Sequence, residues 1–214
     1  MKSVLLIGLG RFGRYMALKL QELGHDVLAV DVNEDRVNEA LSYVTDAQIG
    51  DVTNEAFIKT LGVRNFDLCV VAIGDDFESS LEATALLKDH GAPMVLSRAA
   101  TDIHAKLLLR NGADHVIYPV QQAANYAAVR YTTDHVLDYT ALGEDYSICE
   151  ISTPPEWVGK SILELAVRSR YHINIAATKR NGKLAPLPAP EYVFGGDETL
   201  LIMGHNNDIK RFLK

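Results

Sequence analysis

The sequence predicts an α/β protein in which a doubly wound, Rossmann-like parallel sheet is followed by a small α+β domain. Short apolar runs alternate with segments of helical period over the first two thirds of the chain. A GxGxxG motif lies between the first apolar run and the first helical segment, the position it takes in dinucleotide-type folds. The alternation stops near Asp138, so we place a first domain at 1–137 and a second at 138–214.

Six apolar runs are the predicted strands of the sheet, at 2–7, 26–30, 47–49, 68–73, 94–97 and 115–117. The segments between them are predicted helices, at 11–23, 34–43, 54–61, 78–90 and 103–111. The first of these helices places Phe12, Met16, Leu20 and Leu23 on one face, and Gly24 ends it. Near-continuous apolar strands joined by helical crossovers require a parallel sheet covered on both faces. Such a sheet binds its ligand beside the first strand, where the strand order reverses.

A further helix is predicted at 121–135, with Ala123, Ala124, Ala127 and Ala128 on one face. Because small residues allow helices to approach closely, this is either an ordinary core helix or a crossover that packs against a second subunit. The second domain is predicted to contain strands at 146–152, 173–179 and 199–203, helices at 161–167 and 208–213, and a hairpin turn at Asn181-Gly182.

Composition excludes several classes of protein. With 48% hydrophobic and 23% charged residues over 214 positions, the chain can bury a proper core. Its 28 acidic and 21 basic side chains give a net charge of −7, which argues against a nucleic-acid partner. We expect no membrane insertion and a cytoplasmic location, because apolar runs are strand-sized and the N-terminus lacks a signal-peptide pattern. Cys69 and Cys149 lie in strand-like runs and are predicted to be buried thiols.

The glycine motif indicates a phosphate-binding turn. Gly8 permits the tight turn, Gly10 lets backbone approach a pyrophosphate, and Gly13 lets the helix pack on the strand. Asp31 follows Gly13 by 18 residues, near the spacing of the acid that binds adenosine ribose, although a helix cap or solvated turn is the alternative. Asn33 either caps the second helix or contacts the ligand.

Arg11 lies inside this motif, where its guanidinium can pair with phosphate oxygens. An added cation favours a ligand rich in phosphate charge, ADP or ATP, and the alternative is a solvated arginine. No catalytic set accompanies the motif: the seven histidines have no metal-ligand spacing, and neither GxSxG nor GxxxxGKS/T occurs. His104 is interpreted as a surface or satisfied histidine. The residues therefore predict a bound nucleotide without an enzymatic reaction or a metal, and an NAD-dependent oxidoreductase is the alternative.

Several segments resemble the RCK family, the regulators of potassium conductance, and its Ktr-type cytosolic subunits: 4–13, 27–31, 70–74, 111–119, 167–171 and 202–212. The resemblance implies dimers assembled into an octameric cytosolic ring. It also implies docking on a membrane potassium-translocating subunit of the KtrB or TrkH kind, with ATP and ADP stabilising different ring shapes. A Trk-type regulator that binds NAD(H) without chemistry is a further alternative. The single N-terminal Rossmann unit and the short chain favour the Ktr arrangement over the duplicated Trk one.

The predicted nucleotide site comprises Gly8, Gly10, Arg11, Phe12, Gly13, Asp31, Asn33, Asp51, Val52, Ala72, Ile73, Gly74 and Arg98. By the resemblance, Arg11 reaches the terminal phosphate at a subunit interface, and Asp51 and Val52 match the adenine edge. The resemblance also places 72–74 at the strand end beside the nucleotide and Arg98 near the phosphates.

The resemblance further implies a cyclic di-AMP site in the second domain, at Ile162, Leu163, Arg168, Asn174, Ile175 and Pro188. Taken alone, these residues would read as core plus one surface arginine. The sequence departs from the family after Pro119, where Val120 stands in place of a glutamate associated with a divalent cation. Because hard cations need oxygen ligands, cation activation through that position is in doubt.

Overall fold

The computed structural model describes residues 1–133 and 135–213. The chain divides into two compact units, Met1–Gln121 and Gln122–Lys214. This division falls within a helix that the sequence-based prediction assigned to the first domain, and the domain boundary at 137/138 stays a prediction. Across the described residues, no helix is both long and apolar enough to cross a bilayer.

The first unit contains a parallel sheet. Its strands are β1 (Ser3–Ile7), β2 (Asp26–Asp31), β3 (Asp46–Ile49), β4 (Leu68–Val71), β5 (Val95–Arg98) and β6 (His115–Ile117). Their order is β3-β2-β1-β4-β5-β6, and every neighbouring pair is parallel. The prediction of a Rossmann-like doubly wound sheet is therefore confirmed. The order reverses between β1 and β4, which fixes the expected ligand crevice at their carboxyl ends.

Helices cover both faces of this sheet: α1 (Arg11–Glu22), α2 (Glu34–Ala40), α3 (Glu55–Leu61), α4 (Phe77–Asp89) and α5 (Asp102–Arg110). Side chains of a strand point alternately to the two faces, so β1 contributes Leu5 and Ile7 to one apolar cluster and Val4 and Leu6 to the other. Both clusters are buried. The core thus holds β1 rigidly, and the glycine turn that follows β1 starts from a fixed position.

Two elements of the first unit are shorter than predicted by two residues or more. Strand β4 ends at Val71 rather than at 73, so Ala72 and Ile73 lie beyond the sheet, next to the crevice. Helix α2 ends at Ala40 rather than at 43, since Leu41 begins a turn that leads to β3. A 3₁₀ turn at Val63–Asn65, which periodicity did not predict, connects α3 to β4.

Helix α6 (Pro119–Thr132) leads into the second unit, and none of its residues is buried. The interpretation as a core helix is therefore wrong for the single chain. Its side chains reach the following strand: the Tyr126 hydroxyl donates to Asp138 Oδ1 at 3.1 Å, and Arg130 donates to the Val136 carbonyl at 2.6 Å. The alanine face remains open to solvent or to a partner.

The second unit is an antiparallel sheet with short helices. Its described elements are β7 (Val136–Leu142), β8 (Tyr146–Ser152), α7 (Ile162–Leu165), α8 (Val167–Tyr171), β9 (Ile173–Arg180), β10 (Lys183–Pro186), β11 (Glu198–His205) and α9 (Asn206–Phe212). The strand order is β10-β9-β11-β8-β7. Strands β7 and β10 were not predicted because both are largely exposed and lack apolar alternation. The predicted helix 161–167 ends at Leu165. Ala166 follows with a φ of +49°, which interrupts the helix before α8 begins.

Candidate functional site

The glycine turn joins β1 to α1. Gly8 has a φ of +92°, in the left-handed region that favours glycine, and its N–H donates to the Val30 carbonyl at 2.8 Å. A Cβ at Gly13 would overlap the carbonyl oxygen of Gly8. The helix can therefore approach the turn only because position 13 has no side chain, as the glycine motif predicts.

The N-terminus of α1 differs from those of α2 to α5. Each of those four helices begins with a capping side chain and has an acidic residue in its first turn. Helix α1 has no capping side chain on Gly10 and no acidic residue in its first turn, where Arg11 and Arg14 stand instead. Cations at a helix N-terminus oppose the dipole, and the first N–H groups of any helix lack intrahelical acceptors. This end of α1 is thus built to receive an anion.

Arg11 and Arg14 have different surroundings. Arg14 pairs with Glu39 at 2.8 Å. Arg11 is exposed at the first helical position, with no carboxylate within ion-pair distance among the described residues. Of the two, Arg11 is the cation free to meet a ligand.

Asp31 at the end of β2 is buried, with 7% of its surface exposed. Its Oδ2 accepts the Leu9 N–H at 2.6 Å and its Oδ1 accepts the Asn33 N–H at 2.9 Å. The Arg36 guanidinium lies 3.6 Å from Oδ2. The carboxylate therefore ties the glycine turn to β2, and each oxygen retains a lone pair for a hydroxyl of a ribose.

The flanking residues have mainly structural roles in the free chain. Asn33 caps α2 by accepting the Arg36 N–H at 3.0 Å, so the capping alternative is the one observed. Asp51 accepts from the Thr53 hydroxyl at 2.7 Å and from its N–H at 3.0 Å, and these hydrogen bonds lower the pKa of Asp51. Val52 packs in the buried cluster that contains Leu5 and Ile7, so its side chain is part of the core. The side chains at 51 and 52 are thus already engaged, which leaves their backbone groups to contact the edge of an adenine.

The ends of β4 and β5 complete the crevice. The Ala72 N–H donates to the Ile7 carbonyl at 2.7 Å, and Ile73 lies against Gly8. Arg98 at the end of β5 covers Gly74, where a Cβ would lie 2.6 Å from the arginine Nε. That Nε is buried and has no hydrogen-bond partner among the described residues. The fold thus brings an arginine from β5 to the loop that follows β4.

His104 on α5 is buried, so the surface alternative is wrong, and the hydrogen-bonded alternative holds at one ring nitrogen. It is 2% exposed, its Nδ1 accepts the Ala100 N–H at 3.3 Å, and its ring lies 4.8 Å from that of Phe77. Its Nε2 has no partner among the described residues, and burial lowers the pKa of the imidazole. The signal was present, because 104, 105 and 108 fall on the buried face of one helix.

The predicted second site lies around α7 and β9. Leu163 in α7 is 66% exposed, and its N–H donates to the Pro190 carbonyl at 2.8 Å. The Leu187 N–H donates to the Ala176 carbonyl at 2.9 Å, which holds the loop bearing Pro188 beside β9. Ile162 and Ile175 are half-buried against the core, and the remaining predicted residues, Arg168 and Asn174, are exposed. The fold therefore brings the α7 segment and the proline-rich loop together, whereas among the described residues no side-chain hydrogen bond or ion pair joins Arg168 to them.

Val120 is 71% exposed at the start of α6. Over residues 1–133 and 135–213, the side chains of His, Cys, Asp and Glu form no group of three that could hold a metal ion.

Each of the two compact units contains a match to a known domain family. Residues 4–119 match the TrkA-N domain and residues 149–214 match the TrkA-C domain. The chain is 40% identical to Ktr system potassium uptake protein A of Bacillus subtilis (strain 168), over 99% of this chain and 95% of the relative. It is 38% identical to Ktr system potassium uptake protein C of the same organism, over 100% of this chain and 96% of the relative.

Solved structures of the GsuK channel share the fold. One, bound to NAD, matches with a TM-score of 0.68 at 20% identity, over 97% of this chain and 38% of that chain. Another, bound to ADP, matches with a TM-score of 0.53 at 18% identity, over 63% of this chain and 36% of that chain. The present chain thus spans less than half the length of the GsuK chain. With both domains matched and near-complete coverage of the Ktr relatives, the chain belongs to the RCK family of potassium-transport regulators.

Proposed function

We propose that this chain is the cytosolic nucleotide-binding regulatory subunit of a potassium uptake system. The names of its relatives support the potassium system. The observation that carries the nucleotide role is the N-terminus of α1, which is uncapped and basic and follows directly on the glycine turn. The proposal includes docking on a membrane subunit, of the KtrB or TrkH kind, that translocates potassium.

The ligand we propose is ATP or ADP, sensed with its bonds intact. The crevice offers backbone N–H groups at α1, guanidinium groups at Arg11 and Arg98, and a carboxylate at Asp31 for ribose. These groups bind and orient. Burial raises the pKa of the Cys69 thiol to about 12, so this thiol is a poor nucleophile.

Regulation would follow from differential binding. A ligand shifts a conformational equilibrium only by as much as its affinities for the two states differ. ATP and ADP differ in their terminal phosphate, so a residue that contacts that phosphate supplies the difference. Arg11, which is exposed and has no carboxylate within ion-pair distance over residues 1–133 and 135–213, is the residue that we assign to this role.

Replacing Arg11 with alanine should weaken ATP binding about tenfold or more, because hydrogen bonds to charged groups are worth about 1.5–3 kcal/mol. ADP binding should weaken less, so the ratio of the two affinities should fall. Isothermal titration of the assembled protein measures both affinities. Arg14→Ala is the matched control: it removes a cation from the same turn, but one already paired with Glu39. An unchanged affinity ratio in Arg11→Ala would contradict this role of Arg11.

The wider proposal has its own test. Adenine nucleotides should raise the melting temperature of the wild-type protein and should be recovered unhydrolysed after incubation. If neither ATP nor ADP stabilises the protein, or if the protein consumes them, the proposed function is wrong.

An NAD(H)-sensing regulator is the second candidate, favoured by Asp31 at the end of β2 and by the NAD-bound structure of similar fold. Titration with NADH under the same conditions ranks the two ligands. Sustained oxidation of NADH with carbonyl compounds would instead indicate an oxidoreductase.

We also propose that α6 packs against a second copy of the chain, in dimers that assemble into an octameric ring. Its alanine face is unburied, and Val120 and Tyr131 are 71% and 78% exposed. Such an apolar, small-residue helix favours a helical partner. Light scattering that finds a monomer at micromolar concentration would rule this assembly out.

For the second unit we propose cyclic di-AMP as ligand, bound by the surface of α7, β9 and the proline-rich loop. Exposed Leu163 offers an apolar surface for adenine, and Arg168 offers a cation for phosphate. Cyclic di-AMP should bind with an affinity that Arg168→Ala lowers and that Arg11→Ala leaves unchanged. Equal binding by Arg168→Ala and wild type would remove Arg168 from the site.

A further inference from the structure

Arg98 lies against an aromatic ring and a glycine rather than a carboxylate. Four other arginines of the described residues lie within 4 Å of a carboxylate: Arg14, Arg36, Arg180 and Arg211. Arg98 has no such partner there. Instead its Cζ lies 6.0 Å from the centroid of the Phe12 ring, and its guanidinium occupies the space that a Cβ on Gly74 would take. An aromatic ring attracts a cation through its quadrupole without neutralising it.

The two residues that hold Arg98 are themselves fixed. Phe12, at the second position of α1, packs against the buried cluster that includes Leu6, Leu9 and Ala72. Gly74 provides the space, since a Cβ there would collide with the guanidinium. Arg98 belongs to β5, which is paired to β4 and β6 on both sides. The guanidinium is therefore placed by rigid elements before any ligand arrives.

We propose that Phe12 is a positioning residue for nucleotide binding, which holds the Arg98 guanidinium toward the phosphates of the ligand. This inference rests on the proposed nucleotide-binding function. Holding a rotamer-rich arginine in place reduces the side-chain entropy lost on binding, and an uncompensated cation keeps its full attraction for a polyphosphate. The ring of Phe12 thus contributes to affinity for the phosphate chain through Arg98, and adds nothing to affinity for adenosine.

The experiment is a double-mutant cycle read by calorimetry with three probes: ATP, ADP and adenosine. Phe12→Leu removes the ring and keeps most of the apolar volume, and Arg98→Gln removes the cation. Phe12→Leu should weaken ATP and ADP binding about three- to tenfold and leave adenosine binding unchanged. In the Arg98→Gln protein, the same change at position 12 should have less than about a twofold further effect, because contacting residues couple. Phe12→Tyr, which keeps the ring, should bind ATP and ADP with wild-type affinity.

Phe66→Leu is the matched control, since Phe66 is a half-buried ring that packs on the opposite apolar cluster of the same sheet. It should leave all three affinities unchanged. If Phe12→Leu weakens ADP binding equally with and without Arg98, or weakens adenosine binding as much as ADP binding, Phe12 has no positioning role. If the wild-type protein binds neither ATP nor ADP, the proposed function itself fails. The two failures are therefore distinguishable.

Discussion

Gly13→Ala should lower both the stability of the protein and its affinity for ADP. A Cβ at position 13 would meet the carbonyl oxygen and carbon of Gly8, which are backbone atoms and cannot move aside as a flexible side chain does. Overpacking of this kind costs about 1–3 kcal/mol of unfolding free energy. To relieve the overlap, α1 must shift away from the glycine turn, so its first N–H groups leave their phosphate-binding position. Because 1.4 kcal/mol is tenfold in affinity, we expect ADP binding to weaken at least about tenfold.

Gly10→Ala separates the two effects. At Gly10 a Cβ meets nothing within 4 Å, and φ of −63° suits any residue. The free energy of unfolding of Gly10→Ala should stay within about 1 kcal/mol of that of the wild type. The added methyl group would nevertheless occupy the space through which a phosphate reaches the backbone. Thermal melts should therefore show that Gly13→Ala is destabilised and Gly10→Ala is not. ADP titrations should show that both variants bind ADP poorly. Wild-type affinity in Gly10→Ala would mean that no phosphate approaches this turn.

The sheet and its glycine turn could be predicted because their signals are local. Continuous apolar strands, helices of 3.6 period and three glycines at fixed spacing each reflect a backbone requirement that neighbouring residues reveal. The prediction was incomplete where a local signal was weak. Strands β7 and β10 were missed because they are too exposed to show alternation. The end of α7 was misplaced because Ala166 adopts a positive φ that its side chain does not favour. The fold class survived these errors because the core strands determine it.

The finer arrangement of the site needed the structure. That Arg98 rests between Phe12 and Gly74 depends on β5 lying beside β4, a contact between residues far apart in sequence. The structure decided between the two alternatives for His104 for a related reason: whether a histidine on a helix is exposed or buried depends on neighbours from other elements. Asp31 was found by its spacing, yet its hydrogen bond to Leu9, which ties β2 to the turn, had no sequence signature.

Asp31→Ala should also lower both the stability of the protein and its affinity for nucleotides. It leaves the buried N–H of Leu9 and the N–H of Asn33 without their acceptor, at a cost of about 1–3 kcal/mol for each group that water does not reach. It also removes the proposed ribose contact, so ATP, ADP and NAD should all lose affinity by a similar factor. This uniform loss contrasts with Arg11→Ala, whose effect should depend on the number of phosphates. Asp51→Ala is the control, since that carboxylate is exposed and, in the part of the chain that the structure describes, accepts from Thr53 alone.

A ligand substitution distinguishes the two roles of Asp31. If its carboxylate accepts from the ribose, wild-type protein should bind ADP more tightly than 2′-deoxy-ADP. We expect a ratio of about ten or more, because a lost hydrogen bond to a charged group costs about 1.5–3 kcal/mol. In Asp31→Asn, which keeps one oxygen acceptor and much of the packing, this ratio should fall toward one. Equal affinity of the wild type for both nucleotides would leave Asp31 with its structural role alone, because the bonds to Leu9 and Asn33 do not depend on the 2′ hydroxyl.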